Sequence, residues 1–348
     1  MSGDGRVDVR LLSLAEIEAF FQTIDEKSFR AKQVYEWLWK KSCRSFDEMT
    51  NLSKETRQKL QQEFTFPVVT ILKTIKSSDG TVKNIFLLDD GVSVEGVLMP
   101  SDNRATACIS SQAGCALACS FCATGQLGFT RNLSYPEIYD QVVLLNEQSK
   151  HLFGSSLTNI VYMGMGEPLL NYEQVIQSVE KITSEAGLGI SPQRITISSV
   201  GIPKMISKMA DDNVKFHFAL SLHVANNEKR NRIIPSNIQF PLEELTESLM
   251  YYHQKTKKRI TIEYILFHEF NDSIRDAQEL AIFCKSFPVK INLIEYNSTQ
   301  NSVFRKSEKS KLVAFKEFLE KKNLVVNTRK SRGEDIAAAC GQLALKEK

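Results

Sequence analysis

The sequence predicts an α/β fold: a parallel sheet rolled into a partial (β/α)6 barrel of the TIM type, preceded by a small helical domain and a β-meander. Three observations predict it. Strand-like runs at 105–110, 159–163, 194–199, 216–222, 260–266 and 290–295 alternate with amphipathic helical stretches, which is the signature of βα units in series. Three cysteines crowd the loop after the first run. A glycine-rich turn, Met163-Gly164-Met165-Gly166-Glu167-Pro168, follows the second. In such barrels the reacting groups gather in the loops at the C-terminal ends of the strands.

The elements divide the chain into segments 1–66, 67–103, 104–335 and 336–348. Stretches 14–24, 30–41 and 53–64 read as short amphipathic helices, the last opening on a Ser-x-x-Thr cap. This module is a packing appendage or an RNA-gripping one that uses Arg30, Lys32, Lys40 and Lys41 beside Trp37 and Trp39. Pro67 marks its end. Strands at 68–75, 82–88 and 92–99, separated by Ser78-Asp79-Gly80 and Asp89-Asp90-Gly91 turns, then form the meander. A further β-like run, 324–328, follows a helix that starts near Glu308.

At 348 residues with 42% hydrophobic content, the chain can bury a sizeable core. Its 44 basic and 41 acidic residues leave a net charge of +3, which permits a polyanionic partner without demanding one. The N-terminus lacks an apolar signal region, and no run approaches the roughly 18 apolar residues of a membrane span. A cytoplasmic protein is expected. In that compartment seven cysteines argue for metal or redox chemistry over a disulfide framework. Cys43 and Cys284 lie in helical patterns and read as inert core thiols.

The strongest chemical signal is Cys115-x3-Cys119-x2-Cys122. It offers three thiolates on one loop and no local fourth. A 4Fe-4S cubane normally takes four cysteines, so three leave one iron open to chelate the amino and carboxylate groups of S-adenosylmethionine. A zinc knuckle is the alternative, but structural zinc wants four protein ligands and the nearest downstream histidine, His151, lies beyond a predicted helix. Ser198, Ser221-Leu222-His223 and Tyr296-Asn297 end later strands. With Gly166 and Glu167 they would ring the cluster with short polar groups suited to a ribose, an adenine and an amino acid. Cys108 lies on the first barrel strand. Cys340 sits among small residues near the C-terminus, after Arg329-Lys330-Ser331-Arg332, which would favour thiolate and attract phosphate.

At these residues the chain resembles the RlmN family, dual-specificity adenine-C2 methyltransferases of ribosomal and transfer RNA within the radical S-adenosylmethionine superfamily. The resemblance runs from the helical module to Cys340. It rests on Cys108-Ile109-Ser110-Ser111-Gln112, the cysteine loop, Gly164 to Asn171, Ser221-Leu222-His223, Lys290-Ile291-Asn292-Leu293-Ile294, Arg332-Gly333-Glu334-Asp335 and Ala338-Ala339-Cys340-Gly341-Gln342-Leu343. It implies that Cys115, Cys119 and Cys122 hold a [4Fe-4S] cluster. It further implies that Gly166, Glu167, Ser198, Ser221, Leu222, His223 and Asn297 contact S-adenosylmethionine. Cys340 would be the methyl carrier, Cys108 the second reactive cysteine and Glu95 the proton acceptor, although Glu95 also reads as an outward-facing strand carboxylate.

The family scheme uses two S-adenosylmethionine molecules per turnover. One methylates Cys340; the other supplies the radical that activates the S-methyl group for addition to C2. Cys108 then attacks Cys340 sulfur, and a transient disulfide releases the base. The implied partners are 23S rRNA, tRNA and an electron donor such as flavodoxin or ferredoxin, with the enzyme a monomer. In one place the chain departs from the family: Asn297 to Phe304 lacks the proline and glycine often found there. Two other readings stand beside this one, a Cfr-like enzyme that methylates C8 and a non-catalytic zinc-stabilised RNA-binding protein.

Overall fold

The computed structural model describes residues 5–299 and 302–345. Residues 1–4 of the N-terminal reading, and Gln300 and Asn301 of the loop that departs from the family pattern, lie outside them. One ten-stranded sheet organises the chain: β1 (Thr70–Lys76), β2 (Val82–Leu87), β3 (Ser93–Ser101), β4 (Arg104–Cys108), β5 (Asn159–Tyr162), β6 (Ile195–Ser199), β7 (His217–Ser221), β8 (Ile260–Leu266), β9 (Val289–Glu295) and β10 (Val325–Arg329), each hydrogen-bonded to the next. From β4 to β10 every pairing is parallel. The barrel therefore has a seventh parallel strand, formed by the run at 324–328, and the meander is antiparallel and continuous with it through β3 and β4.

Burial explains the strand signals. Every residue of β8 is buried, as expected of a parallel strand covered on both faces. Covering one of those faces are amphipathic helices such as α5 (Tyr172–Thr183), which turns Tyr172, Val175, Val179 and Ile182 inward at helical spacing. Among the described residues no helix is long and apolar enough to cross a membrane.

The N-terminal module comprises α1 (Leu14–Thr23), α2 (Phe29–Trp39) and α3 (Lys54–Glu63). Ser13 and Glu16 close a capping box on α1, and Ser53 Oγ accepts from Thr56 N at 3.0 Å to start α3. The module docks on α4 (Tyr135–Phe153), where Trp39 is buried against the rings of Tyr135 and Tyr139. That packing removes Trp39 from any RNA surface. Trp37 is less enclosed, with Lys41 Nζ 3.9 Å from its ring centroid, and Arg30 pairs with Glu26. Arg10 fixes the docking. Its guanidinium binds both oxygens of Asp140 at 2.9 Å, and Asp140 also accepts from Val69 N.

Without Asp140 the buried guanidinium would lose two charge-assisted hydrogen bonds but keep Asp8 and Pro67 O. Asp140→Ala should therefore cost about 1.5–3 kcal/mol in urea unfolding; a loss below about 1 kcal/mol would show that the pair does not hold the module in place.

Candidate active site

The mouth of the barrel is built from the ends of β4 to β9 and the cysteine loop. After β4, residues Gln112–Gly114 pair with Phe129–Asn132 and frame that loop as a narrow-necked hairpin. Gly114 makes the neck possible: its φ is +74°, and a Cβ would lie 1.9 Å from Gly128 O. Cys119 is buried, while Cys115 and Cys122 are partly open. Burial raises all three thiols, Cys115 to about 11, and the Cys119 sulfur feels the charge of both others. Backbone N–H groups oppose the shift, from Leu117 at Cys115 and from Gly125 and Thr124 at Cys122.

This donor set fits an iron–sulfur cluster: three thiols in one electrostatic neighbourhood, with N–H groups aimed at sulfur. Among the described residues no group of three or more His, Cys, Asp or Glu is gathered closely enough to hold a single metal ion. Sequence reasoning missed Arg230. Its side chain is buried, donates to Leu222 O, Val200 O and Asn237 Oδ1, and is lowered to about 10 by burial while the Cys119 charge opposes that. A buried guanidinium with no carboxylate partner among the described residues sits well beside an anionic centre.

The glycine turn after β5 lies against the loop. Gly166 has φ +97°, and a Cβ there would meet Gln112 Cβ at 2.5 Å. Gln112, which closes the Cys108–Gln112 motif but has no role assigned from sequence, accepts from Glu167 N at 2.8 Å. Glu167 is buried; its carboxylate accepts from Leu169 N and Val200 N, each at 3.0 Å, and burial pushes it up to about 7. Glu167 thus ties two strand-end loops together and keeps spare lone pairs for a further donor. Ser198 and Ser221, on adjacent strands, share a 3.0 Å hydrogen bond.

Leu222 is fully buried, its N–H donating to Glu263 O and its carbonyl accepting from Val224 N and Arg230 Nε. His223 has φ +57°, packs edge-on to Phe121, and accepts from Ile265 N through Nδ1 at 3.2 Å, so the other ring nitrogen carries the proton. Asn297 is buried and its Nδ2 reaches Cys340 O at 3.4 Å.

Strand register places the remaining groups. Lys83, Val97 and Cys108 stand opposite one another across β2, β3 and β4, and therefore on one face; Glu95, two residues along β3, shares it. The carboxylate is not the outward-facing one that the strand pattern allowed. Glu95 is fully buried, Lys83 Nζ lies 3.1 Å from Oε1, and Oε2 accepts from Ala344 N at 2.7 Å. The lysine contact lacks hydrogen-bond alignment, so Oε1 has no hydrogen-bond partner among the described residues. Lys83 had no sequence signal beyond its place in a buried strand.

Cys340 is exposed; Cys108 is buried and pushed up to about 12 by burial, with the charge of Cys340 adding and Arg329 opposing. Arg329 is itself raised, chiefly by Cys340, and its Nη1 lies 3.5 Å from Glu263 Oε2. The guanidinium thus serves both cysteines. All seven cysteines are free thiols, and no disulfide joins Cys108 to Cys340.

Comparison with known proteins agrees with this geometry. Residues 109–281 match the radical SAM superfamily model, and residues 7–66 match the ribosomal RNA large subunit methyltransferase N-terminal domain. A crystal structure of a radical SAM methyltransferase from Sphaerobacter thermophilus superposes with a TM-score of 0.91 at 36% identity, covering 97% of this chain and 99% of that one. The fold and the cysteine loop thus define a radical S-adenosylmethionine enzyme, which uses a 4Fe-4S cluster and S-adenosylmethionine.

Two relatives narrow the class. The Cytophaga hutchinsonii protein named "Probable dual-specificity RNA methyltransferase RlmN" is 54% identical, over 97% of this chain and 93% of its own length. The Nitratidesulfovibrio vulgaris protein named "Dual-specificity RNA methyltransferase RlmN" is 43% identical, over 98% and 95%. The chain belongs to the RlmN family of RNA methyltransferases.

Burial lowers the imidazole of His223 from 6.5 to about 3, so the unfolded chain takes up a proton that the folded one refuses. Its contribution is complete above pH 6.5 and is lost as pH falls toward 3, at about 1.4 kcal/mol per unit. His223→Asn keeps an acceptor and tolerates positive φ, and should flatten the acid limb of urea stability between pH 6 and 4.5. Parallel curves for the two proteins would contradict the buried neutral imidazole.

Proposed function

We propose that this protein methylates C2 of adenosine in 23S rRNA, within the peptidyl transferase centre, and in tRNA, at the adenosine after the anticodon, with Cys340 as methyl carrier. One observation carries the reading: the exposed Cys340 stands over the cysteine loop, in electrostatic contact with Cys108 and Arg329. A simple methyltransferase would need no second thiol outside the cluster loop.

In this reading Cys115, Cys119 and Cys122 hold the cluster. Gly166, Glu167, Ser198, Ser221, Leu222, His223 and Asn297 hold S-adenosylmethionine, two molecules being used per turnover. When bound, cluster and S-adenosylmethionine supply one-electron cleavage of a sulfonium, the source of a primary carbon radical. Adenine C2 is an electron-poor carbon, so polar transfer from an electrophilic methyl group has no driving force, and a carrier that becomes a carbon radical solves the mismatch.

Cys340 receives the methyl group on sulfur and tethers the base through it. Glu95 takes the C2 proton on Oε1, the oxygen that faces Lys83 Nζ at 3.1 Å and has no hydrogen-bond partner among the described residues. Once the adduct has returned its unpaired electron to the cluster, the Cys108 thiolate attacks Cys340 sulfur and breaks the sulfur–methylene bond. The released carbon takes a proton to become the methyl group, and the cytosolic thiol pool reduces the resulting disulfide. Arg329 stabilises each thiolate in turn and, with Lys330 and Arg332, neutralises RNA phosphate. A low-potential flavodoxin or ferredoxin fits as electron donor, and a cytoplasmic monomer as the working form.

Cys340→Ala should abolish RNA methylation while S-adenosylmethionine is still cleaved reductively; methylated RNA from that variant would exclude the carrier role. Cys108→Ala should accumulate protein covalently joined to RNA, detected on denaturing gels, whereas free methylated product would remove Cys108 from the release step. Mass spectrometry of nucleosides from a deletion strain, with and without complementation, reads the modified atom. A C8 product would favour the Cfr-like chemistry.

A further inference from the structure

We propose that the Lys83–Glu95 ion pair is the docking post of the loop that carries Cys340, with Lys83 acting as a positioning residue. The pair grips that loop at both ends. Glu95 Oε2 accepts from Ala344 N at 2.7 Å, and Lys83 Nζ reaches Ala337 O at 3.5 Å. The intervening residues form an arch whose feet meet at one buried pair and whose exposed member is Cys340. Ala338 and Ala339 before Cys340, and Leu343 three residues after it, are buried, so the arch is packed as well as tethered.

Physical chemistry favours this division of labour. Lys83 and Glu95 are 1% and 0% exposed, and neither charge would be tolerable in that position without the other. The ammonium keeps a carboxylate where a backbone N–H needs an acceptor, and a hydrogen bond to an ionised acceptor is stronger than a neutral one. Both residues lie on paired inner strands of the meander, outside the barrel proper, so a rigid part of the sheet sets the position of a loop that has little regular structure of its own. In the functional reading above, on which this consequence rests, one oxygen of Glu95 anchors the carrier loop and the other is left for the proton. Carrier and acceptor are thereby held in fixed relation.

The test reads the loop and not the chemistry, so failure of the methyl-carrier reading would leave its result untouched. Hydrogen exchange by mass spectrometry on the full-length, anaerobically reconstituted protein would compare Lys83→Met, Lys83→Arg and Ala344→Pro, the last of which deletes the N–H while keeping the ion pair. Exchange in peptides spanning 337–345 should rise about tenfold in Lys83→Met and Ala344→Pro, with Lys83→Arg restoring protection and the barrel strands unchanged in Ala344→Pro. Cys340 should be alkylated faster in the first two variants, while Cys43 and Cys284 stay inert. Wild-type protection of the loop in Ala344→Pro would overturn the proposal, and so would equal loosening of loop and barrel in that variant. Should Lys83→Met not fold, the proline variant decides alone.

Discussion

The active site depends on a short stretch of chain that closes over the barrel mouth and hydrogen-bonds to the cysteine loop. Ala123 N, next to Cys122, donates to Gly341 O at 2.7 Å, and Thr124 Oγ1 donates to Leu343 O at the same distance. These contacts join two segments more than 200 residues apart. On the far side Gln342 Nε2 donates to Ser298 O. Further back, Asp335 accepts from Ser77 Oγ, Gly333 N donates to Asp79, and Arg332 donates to Pro100 O, so the chain leaving β10 spans from one edge of the sheet to the meander at the other. An open sheet thereby acquires a roof. That roof carries the one exposed cysteine.

Beneath it, charge is arranged in two compartments. Arg230 lies within the barrel beside Cys119, and Arg329 lies at the end of β10 beside Cys340 and Cys108. Arg230 is buried, while the Arg329 side chain is 34% exposed and open to solvent. The first has carbonyl and amide oxygens for partners, the second a buried carboxylate, Glu263, which Asn292 also holds at 2.8 Å. Positive charge is thus built into the scaffold beside both sets of sulfurs, where it opposes the burial that raises Cys119 and Cys108.

The fold was legible because its signals are local. Alternating runs, turn dipeptides and the Ser53 cap each act over a few residues, and the structure returns them with small shifts at the ends. The cysteine loop was legible for the same reason. What escaped were residues whose role exists only through register or distant packing. Lys83 reads as an ordinary strand lysine until β2, β3 and β4 pair and set it diagonal to Glu95. Arg230 reads as one basic residue of a short helix until that helix folds onto the cysteine loop, where Ser120 N donates to Ile233 O. The opposite error befell Trp39: proximity to lysines in sequence suggested a base-stacking ring, but the helix turns it inward against two tyrosines.

The central claim is that Cys340 carries the methyl group beside the cluster loop. It is tested most directly by digesting the reconstituted enzyme after anaerobic, reducing incubation with S-adenosylmethionine and weighing every cysteine peptide. The account predicts that the Cys340 peptide alone gains one CH2 and loses it when RNA is added. An unmodified Cys340 in an enzyme that nevertheless methylates its RNA would contradict it.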